Sequence, residues 1–202
     1  VTAFPKGSSG DNQAAVVAFH DTRNNSDHQT LATAAQIGAT YGLAFDRSAA
    51  VLYAGAFHKR GTHFGPAGPG GIYAIDLRGG GVRTFATVPN AGADTHASGA
   101  DYFPDINARG GAGKTSLGDV ELSADGKELA VMNMNDRRIY RFNVADASMI
   151  GSFPNGAAGE SWSADARPFG LGWHDGRLYH GVVNSAQTSR RSSDLQARVY
   201  SS

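Results

Sequence analysis

The chain has 202 residues, and its 27 Gly and 18% charged residues are typical of a protein built from short strands and turns rather than from helices. Lys and Arg number 18 and are balanced by 18 Asp and Glu, so there is no basic excess and no nucleic-acid partner is predicted. No apolar run reaches the roughly 18 residues that a membrane-spanning helix needs, and the absence of Cys excludes disulfide bonds.

Near the N-terminus, the apolar sequence QAAVVAF at residues 13–19 predicts a strand. The residues that follow, 21–30, are polar and are predicted to form a loop. Two roles for the strand stay open, because it either closes a ring of blades or ends a preceding blade.

Three later stretches repeat one pattern of a Gly, a short alternating strand, a polar turn and a second strand; they cover residues 42–57, 118–133 and 170–184. Asp-Gly turns at residues 125–126 and 175–176 are strong hairpin signals, because the turn needs residues that accept positive φ. We therefore expect Gly42, Gly118 and Gly170 to open equivalent strands.

Two of the three stretches continue into third strands at residues 71–77 and 138–144 and into fourth strands at residues 81–87 and 148–153. Four antiparallel strands per repeat, each repeat covered by its neighbour, predict an all-β fold of the β-propeller type. A β-sandwich is the alternative, but it does not require a recurring hairpin pattern.

Two insertions, residues 58–70 and 88–114, interrupt the repeat and are rich in Gly, Pro, Asn and Asp. They follow the second and the fourth strand of the same blade, so we expect them side by side on one rim, where long loops commonly bind ligands. The alternative is a pair of solvated loops. The predicted ligand-binding residues are the cationic, aromatic and polar side chains His58, Lys59, Arg60, His63, Phe64, His96, Asp101 and Tyr102.

Other chemical patterns are weaker. Asp119 and Glu121 share one face of a predicted inner strand and are expected to be polar channel residues that hydrogen-bond neighbouring strands or channel water. No G-x-S-x-G pattern occurs, so no catalytic residue is predicted. The Walker-like residues 108–115 lack the flanking strand and helix, and the seven His show no ligand spacing, so neither a cofactor nor a metal is predicted.

Residues 117–144 (LGDVELSADGKELAVMNMNDRRIYRFNV) resemble the YVTN-type repeat of bacterial lactonase-like seven-bladed propellers. Residues 40–77 resemble the propeller module near the N-terminus of large secreted bacterial surface proteins that carry SdrD-type B repeats. The resemblance implies about three to four blades of a seven-bladed ring in a secreted or cell-surface protein. It implies a non-catalytic structural or binding role toward a surface protein or glycan. A lactonase-like hydrolase is the alternative.

The chain opens at Val1 without a Met or a signal peptide, which predicts a trimmed product or a fragment. We assign residues 1–189 to the partial propeller and residues 190–202 to a tail outside it. Residues 190–195 (RRSSDL) match the translation of a common sequencing adapter, which predicts an artefact in the sequence. The alternative is a polar loop before a strand at residues 197–200.

Overall fold

A computed structural model of the chain describes residues 1–3, 12–20, 28–96 and 104–202. In these ranges the protein is all-β, with antiparallel strands in four sheets and one four-residue α-helix, α1 (Ala34–Ile37). Short 3-10 turns span Gly68–Gly70, Ile106–Gly110, Ser163–Asp165 and Ser192–Asp194. Within the same ranges no helix is long and apolar enough to cross a membrane.

The N-terminal sheet pairs β1 (Ala14–Phe19) with β2 (His28–Thr33). The first of these strands was predicted. The second corrects the predicted loop, because residues 28–30 belong to β2. Its first three residues are polar and exposed and only Ala32 is buried, so the strand carries almost no apolar pattern.

Three further sheets follow in chain order and confirm a partial β-propeller. Blade 1 has the strand order β3-β4-β5-β6 and blade 2 the order β7-β8-β9-β10; blade 3 has three strands, β11-β12-β13. The strands are Thr40–Asp46, Val51–Ala56, Gly71–Asp76 and Val82–Thr87 in blade 1; Leu117–Leu122, Glu128–Asn133, Arg138–Asn143 and Met149–Pro154 in blade 2; and Ala166–His174, Arg177–Asn184 and Gln196–Ser201 in blade 3.

The core lies between the sheets, because the blades carry apolar side chains on both of their faces. In β5, Ile72 and Ala74 pack into a cluster shared with blade 2, whereas Tyr73 and Ile75 pack against the N-terminal sheet. A third cluster joins Met132 and its neighbours in blade 2 to blade 3. This alternation is what a strand buried on both sides requires.

The first strand of every blade contains a bulge at the same place. Strand pairing is interrupted before Leu43 in β3, before Val120 in β7 and before Leu171 in β11. These three residues are therefore equivalent, and the residues just before them are Gly42, Asp119 and Gly170. The predicted strands are equivalent as expected, but Gly118 lies one position earlier than Gly42 and Gly170.

Gly42 allows two inner strands to touch. A Cβ atom at Gly42 would lie 2.6 Å from the carbonyl oxygen of Gly118 and 2.6 Å from the main-chain N of Val120. Any side chain there would force the backbones of β3 and β7 apart. The residue is thus required by close packing between blades rather than by a turn.

The third strand of blade 3 lies in the segment that the sequence set apart as a tail. Gln196–Ser201 pairs with β12 from Asn184 to Tyr179, as the alternative interpretation of that segment predicted. The triplet Arg198-Val199-Tyr200 repeats Arg138-Ile139-Tyr140 of β9 at the same place in the blade. The boundary at residue 189 and the adapter origin of residues 190–195 stay predictions.

Candidate functional site

The two insertions lie side by side at one end of blade 1, as their positions after β4 and β6 predicted. Ser116, two residues beyond the second insertion, forms a bridge with Phe57, directly before the first. Its hydroxyl lies 3.0 Å from the carbonyl oxygen of Ala56 and 2.6 Å from that of Pro69. We call these joined segments the rim platform and define it, within the described residues, as residues 57–70, 88–96 and 104–116.

His58 is buried at the centre of the rim platform and is 0% exposed. Its Nδ1 atom lies 2.5 Å from the Oγ1 atom of Thr115, and that hydroxyl donates to the carbonyl oxygen of Gly111. Nδ1 therefore carries the proton, and Nε2 accepts from the hydroxyl of Thr95 at 3.3 Å. Burial first, and the neighbouring His96 second, lower the pKa of His58, which favours the neutral ring.

His96 joins the second insertion to the first. Its Nδ1 atom lies 2.6 Å from Oδ1 of Asp94, while its Nε2 atom lies 3.0 Å from the carbonyl oxygen of Lys59 and 3.4 Å from Oδ2 of Asp105. All of these partner atoms are acceptors, so the ring can donate a hydrogen bond on either side. The same Oδ2 atom of Asp105 accepts from the main-chain N of Gly61 at 2.6 Å. Side chains of the second insertion thus hold the backbone of the first.

Phe64 completes the buried group. Its ring centroid lies 5.3 Å from that of His58 and 5.5 Å from that of His96, and the two imidazole centroids are 5.0 Å apart. The three rings pack at tilted or edge-on angles, as aromatic rings prefer. We call them the ring cluster; within the described ranges, no group of three or more His, Cys, Asp or Glu is arranged to hold a metal ion.

Three other predicted ligand-binding residues, Lys59, Arg60 and His63, belong to the first insertion beside this cluster. Lys59 forms a bridge with Thr62 across a tight turn, and Arg60 is exposed at its tip. His63 is half-buried, with Nδ1 2.7 Å from the carbonyl oxygen of Phe64. Asp101 and Tyr102 lie outside the described residues. The structure therefore brings His58, Phe64 and His96 together, and ligand binding by the whole set stays a prediction.

A second group of aromatic rings was not predicted. Tyr41 is 48% exposed, and its ring centroid lies 5.3 Å from that of Phe57 and 4.9 Å from that of Phe169. Phe57 belongs to the rim platform, while Tyr41 and Phe169 occupy equivalent positions in blades 1 and 3. The recurring pair of an aromatic residue followed by Gly, at 41–42 and 169–170, is the signal that identifies them. Phe57 and Phe169 are half-buried beside Tyr41, and we call these three residues the exposed aromatic group.

The two predicted channel carboxylates bond the next blade. Asp119 accepts from the main-chain N of Val120 through Oδ1 and from that of Leu171 through Oδ2, both at 3.0 Å. Burial raises the pKa of Asp119, and these two bonds oppose the rise. Burial also raises the pKa of Glu121, against a bond from the main chain of Trp173. Both acids thus accept hydrogen bonds from β11.

No family model matches the chain. Two proteins of Dictyostelium discoideum are similar in sequence. Colossin-A is 27% identical over 213 residues, which cover 100% of this chain and 2% of that protein. Colossin-D is 28% identical over 174 residues, which cover 79% of this chain and 18% of that protein. The chain thus spans less than a fifth of either relative.

Solved structures resemble the fold at low sequence identity. A chain in the crystal structure of a nidogen–laminin complex has a TM-score of 0.51 at 14% identity, covering 90% of this chain and 54% of that one. The structure of apo AztD from Citrobacter koseri has a TM-score of 0.45 at 14% identity, covering 89% of this chain and 44% of that one. At such identities a likeness concerns the fold alone, and it is the repeated antiparallel sheets that make the chain a propeller-type module.

Proposed function

We propose that the chain is a non-catalytic binding module of a secreted or cell-surface protein, with the rim platform and the exposed aromatic group as its binding surface. The observation that carries this proposal is that hydrogen bonds of buried imidazole and carboxylate groups join the two long insertions. Long loops that are held rigid next to exposed rings are the usual arrangement of a recognition site on a stable scaffold.

Rigidity matters because a loop that is already ordered loses little conformational entropy when a ligand binds. The first insertion is fixed at Lys59 and Gly61 by the second. Both insertions are longer than the corresponding connections of blade 2, although Val88 and Ala91 of the second insertion pack into the core between blades 1 and 2. The ordering of these residues therefore favours a use at the surface.

The ligand class follows from the exposed rings. Aromatic ring faces carry partial negative charge and pack against the polarised C–H groups of a sugar face. Arg60 at the neighbouring tip adds a cation for an acidic group. We therefore propose a glycan, including acidic ones, as the ligand. The resemblances to YVTN-type propellers and to secreted surface proteins with SdrD-type B repeats support a cell-surface setting for such a ligand.

The size of the relatives supports a module rather than a complete protein. The similar region makes up 2% of Colossin-A and 18% of Colossin-D. A lactonase-like hydrolase is less well supported, because Asp119 and Glu121 already accept main-chain hydrogen bonds from blade 3.

The test compares two aromatic residues of one strand. Tyr41 and Phe45 both lie on β3 and are 48% and 49% exposed, but only Tyr41 belongs to the exposed aromatic group. On a glycan microarray, we expect Tyr41→Ala combined with Phe169→Ala to weaken binding about tenfold or more, and Phe45→Ala to leave it unchanged. Equal losses, or no glycan bound by the unchanged chain, contradict the proposal.

A further inference from the structure

Two adjacent arginines lie beside a cavity at the connection between β8 and β9. Arg137 ends the turn and Arg138 begins β9, and both line a cavity of about 470 Å³. The segment that joins β10 to β11 lines the same cavity through Asn155 and Ser163. We call this cavity the arginine pocket.

The arginine pocket borders the rim platform. The main-chain N of Met134 donates to the carbonyl oxygen of Ser116 at 2.9 Å. Nδ2 of Asn135 donates to the carbonyl oxygen of Asn90 at 2.9 Å. Ser116 is also the bridge partner of Phe57 in the exposed aromatic group. The pocket and the exposed rings therefore lie at the same end of the blades, beside one platform.

Both guanidinium groups are held in place and still have donors to spare. Arg137 donates through Nη1 to the carbonyl oxygen of Ser163, and its own carbonyl accepts from the main-chain N and Nδ2 of Asn155 at 3.0 Å and 2.8 Å. Arg138 donates through Nε and Nη2 to the hydroxyl and carbonyl oxygens of Ser152 at 3.0 Å and 2.9 Å. Since a guanidinium has about five N–H donors, each arginine retains donors for a ligand.

Arg137 occupies a backbone position that favours glycine. Its φ is 61°, whereas the turns between β7 and β8 and between β11 and β12 place Gly126 and Gly176 at a φ of 73°. A side chain at positive φ costs strain. An arginine here therefore favours a use for its guanidinium.

The arginine pocket also has an excess of positive charge. Within the described residues, no ion pair involves either arginine. The neighbouring Asp136 accepts from the main-chain N of Arg138 and from the hydroxyl of Tyr140. Arg198, at the equivalent place in blade 3, instead forms an ion pair with Glu160. Two guanidinium groups beside one carboxylate thus leave the pocket cationic, whereas an acid neutralises the equivalent site.

We propose that the arginine pocket binds the anionic group of the glycan, a sulfate ester or a carboxylate, while a sugar ring of the same glycan lies on the exposed aromatic group. This rests on the glycan-binding function proposed above and narrows its ligands to acidic glycans. Guanidinium groups suit such a ligand, because their planar N–H donors match the paired oxygens of an oxyanion.

A titration with inorganic sulfate tests the pocket without any glycan. The Nε–Hε signals of the arginine side chains are followed by nuclear magnetic resonance, with sodium chloride of equal ionic strength as the reference. We expect saturating shifts at Arg137 and Arg138. Arg78 is the internal control, because it also donates to a main-chain carbonyl, that of Ser48, but in turns at the other end of blade 1. Shifts that do not saturate, or that are equal at Arg78, show an adventitious ion only and overturn the proposal.

A glycan microarray with sulfated, carboxylated and neutral forms of the same glycans tests the ligand class. We expect at least one anionic form to bind about tenfold or more tighter than the neutral form. Arg137→Gln combined with Arg138→Gln keeps amide donors but no charge, so it should abolish this preference, and Arg78→Gln should retain it. The form that loses affinity identifies the anionic group as sulfate or carboxylate.

The outcomes separate this proposal from the glycan-binding function. Equal binding of neutral and anionic forms overturns the role of the pocket and leaves glycan binding intact. A preference that survives the double variant, or that Arg60→Gln alone abolishes, places the anion elsewhere and also overturns it. If no glycan binds, the glycan-binding function fails, and the sulfate titration decides whether the pocket holds an anion. Circular dichroism shows whether the strands of each variant are intact.

Discussion

The Oδ2 atom of Asp119 lies 3.0 Å from the main-chain N of Leu171, so a carboxylate of blade 2 holds the inner strand of blade 3. The other oxygen accepts from Val120, which is the residue of blade 2 equivalent to Leu171. One side chain therefore satisfies the same main-chain amide in two successive blades. In blade 1 the equivalent position is Gly42, and the blades meet there by direct backbone contact.

Replacing Asp119 tests this contact between blades. Asp119→Ala leaves the amides of Val120 and Leu171 without their acceptor, so we expect it to lower the free energy of unfolding by about 1–3 kcal/mol. Asp119→Asn keeps one acceptor oxygen and should cost less. In urea unfolding, Asp125→Ala serves as the control, since Asp125 bonds only its own turn and should cost under about 1 kcal/mol. Equal losses at both positions would contradict a role between blades.

Gly42 and Gly170 form a matched pair, because they are equivalent in register but differ in surroundings. A Cβ atom at Gly42 would meet backbone at 2.6 Å, whereas one at Gly170 would meet nothing within 4 Å. We expect Gly42→Ala to lower the free energy of unfolding by about 1–3 kcal/mol. Gly170→Ala should be neutral or slightly stabilising. Thermal unfolding in dilute solution measures both, and a tolerated Gly42→Ala would show that the blades can separate without cost.

His58 tests the ring cluster. His58→Ala removes a buried ring and the donor to Thr115, so we expect a loss of about 2–4 kcal/mol in the free energy of unfolding. His174→Ala is the control, because that side chain is 75% exposed and should cost under about 0.5 kcal/mol. Limited proteolysis of the two insertions should accelerate in the His58 variant alone. Unchanged cleavage would mean that the insertions hold together without this ring.

Two buried histidines, His58 of the ring cluster and His180 of β12, predict a dependence of stability on pH. Burial lowers the pKa of His58 and of His180 below the ordinary value of 6.5, so the unfolded chain binds protons that the folded chain does not. The free energy of unfolding should therefore fall as the pH drops below about 6.5 and level off below the folded pKa values, with at most about 1.4 kcal/mol per pH unit for each residue.

Urea midpoints between neutral and mildly acidic pH check this prediction. His58→Asn retains a side-chain donor for Thr115 but does not titrate, so its curve should be flatter than that of the unchanged chain. A stability curve that is flat through this window would contradict the neutral state of His58.

The hairpins were predictable because each places alternating apolar residues around a turn that needs positive φ. Asp175 and Gly176 have φ values of 47° and 73°, as that turn requires. The exact equivalence of positions between blades was not predictable. Aligning the repeats on their Gly residues matches Gly118 with Gly42, whereas strand pairing around the bulge makes Asp119 the equivalent of Gly42. β2 was not predicted, because its polar half faces solvent and carries no apolar alternation. β13 was predicted only in the alternative interpretation of the C-terminal segment, as a strand at residues 197–200.

The sequence also indicated which segments meet, but not how. Strand direction alone placed the two insertions on one rim. The burial of His58 and His96 could not be read from their spacing, because they are 38 positions apart and their partners are largely main-chain and hydroxyl groups. The sequence predicted a surface of exposed cations and rings. In the structure His58 and Phe64 are buried where the two insertions meet, and Tyr41 lies exposed in a separate group of rings.

The contact at Gly42 has a geometric consequence for the arc as a whole. The inner strands form the hub of the arc, and the outer strands form its circumference. A glycine at the hub sets the smallest distance between neighbouring strands there, and so sets the wedge angle between blades 1 and 2. At the junction between blades 2 and 3, the equivalent position is Asp119. There the hydrogen bond from the main chain of Leu171 to Asp119 sets the angle between the blades. Two junctions built from different atoms therefore contribute separately to the curvature, and through it to the number of blades that would complete a circle.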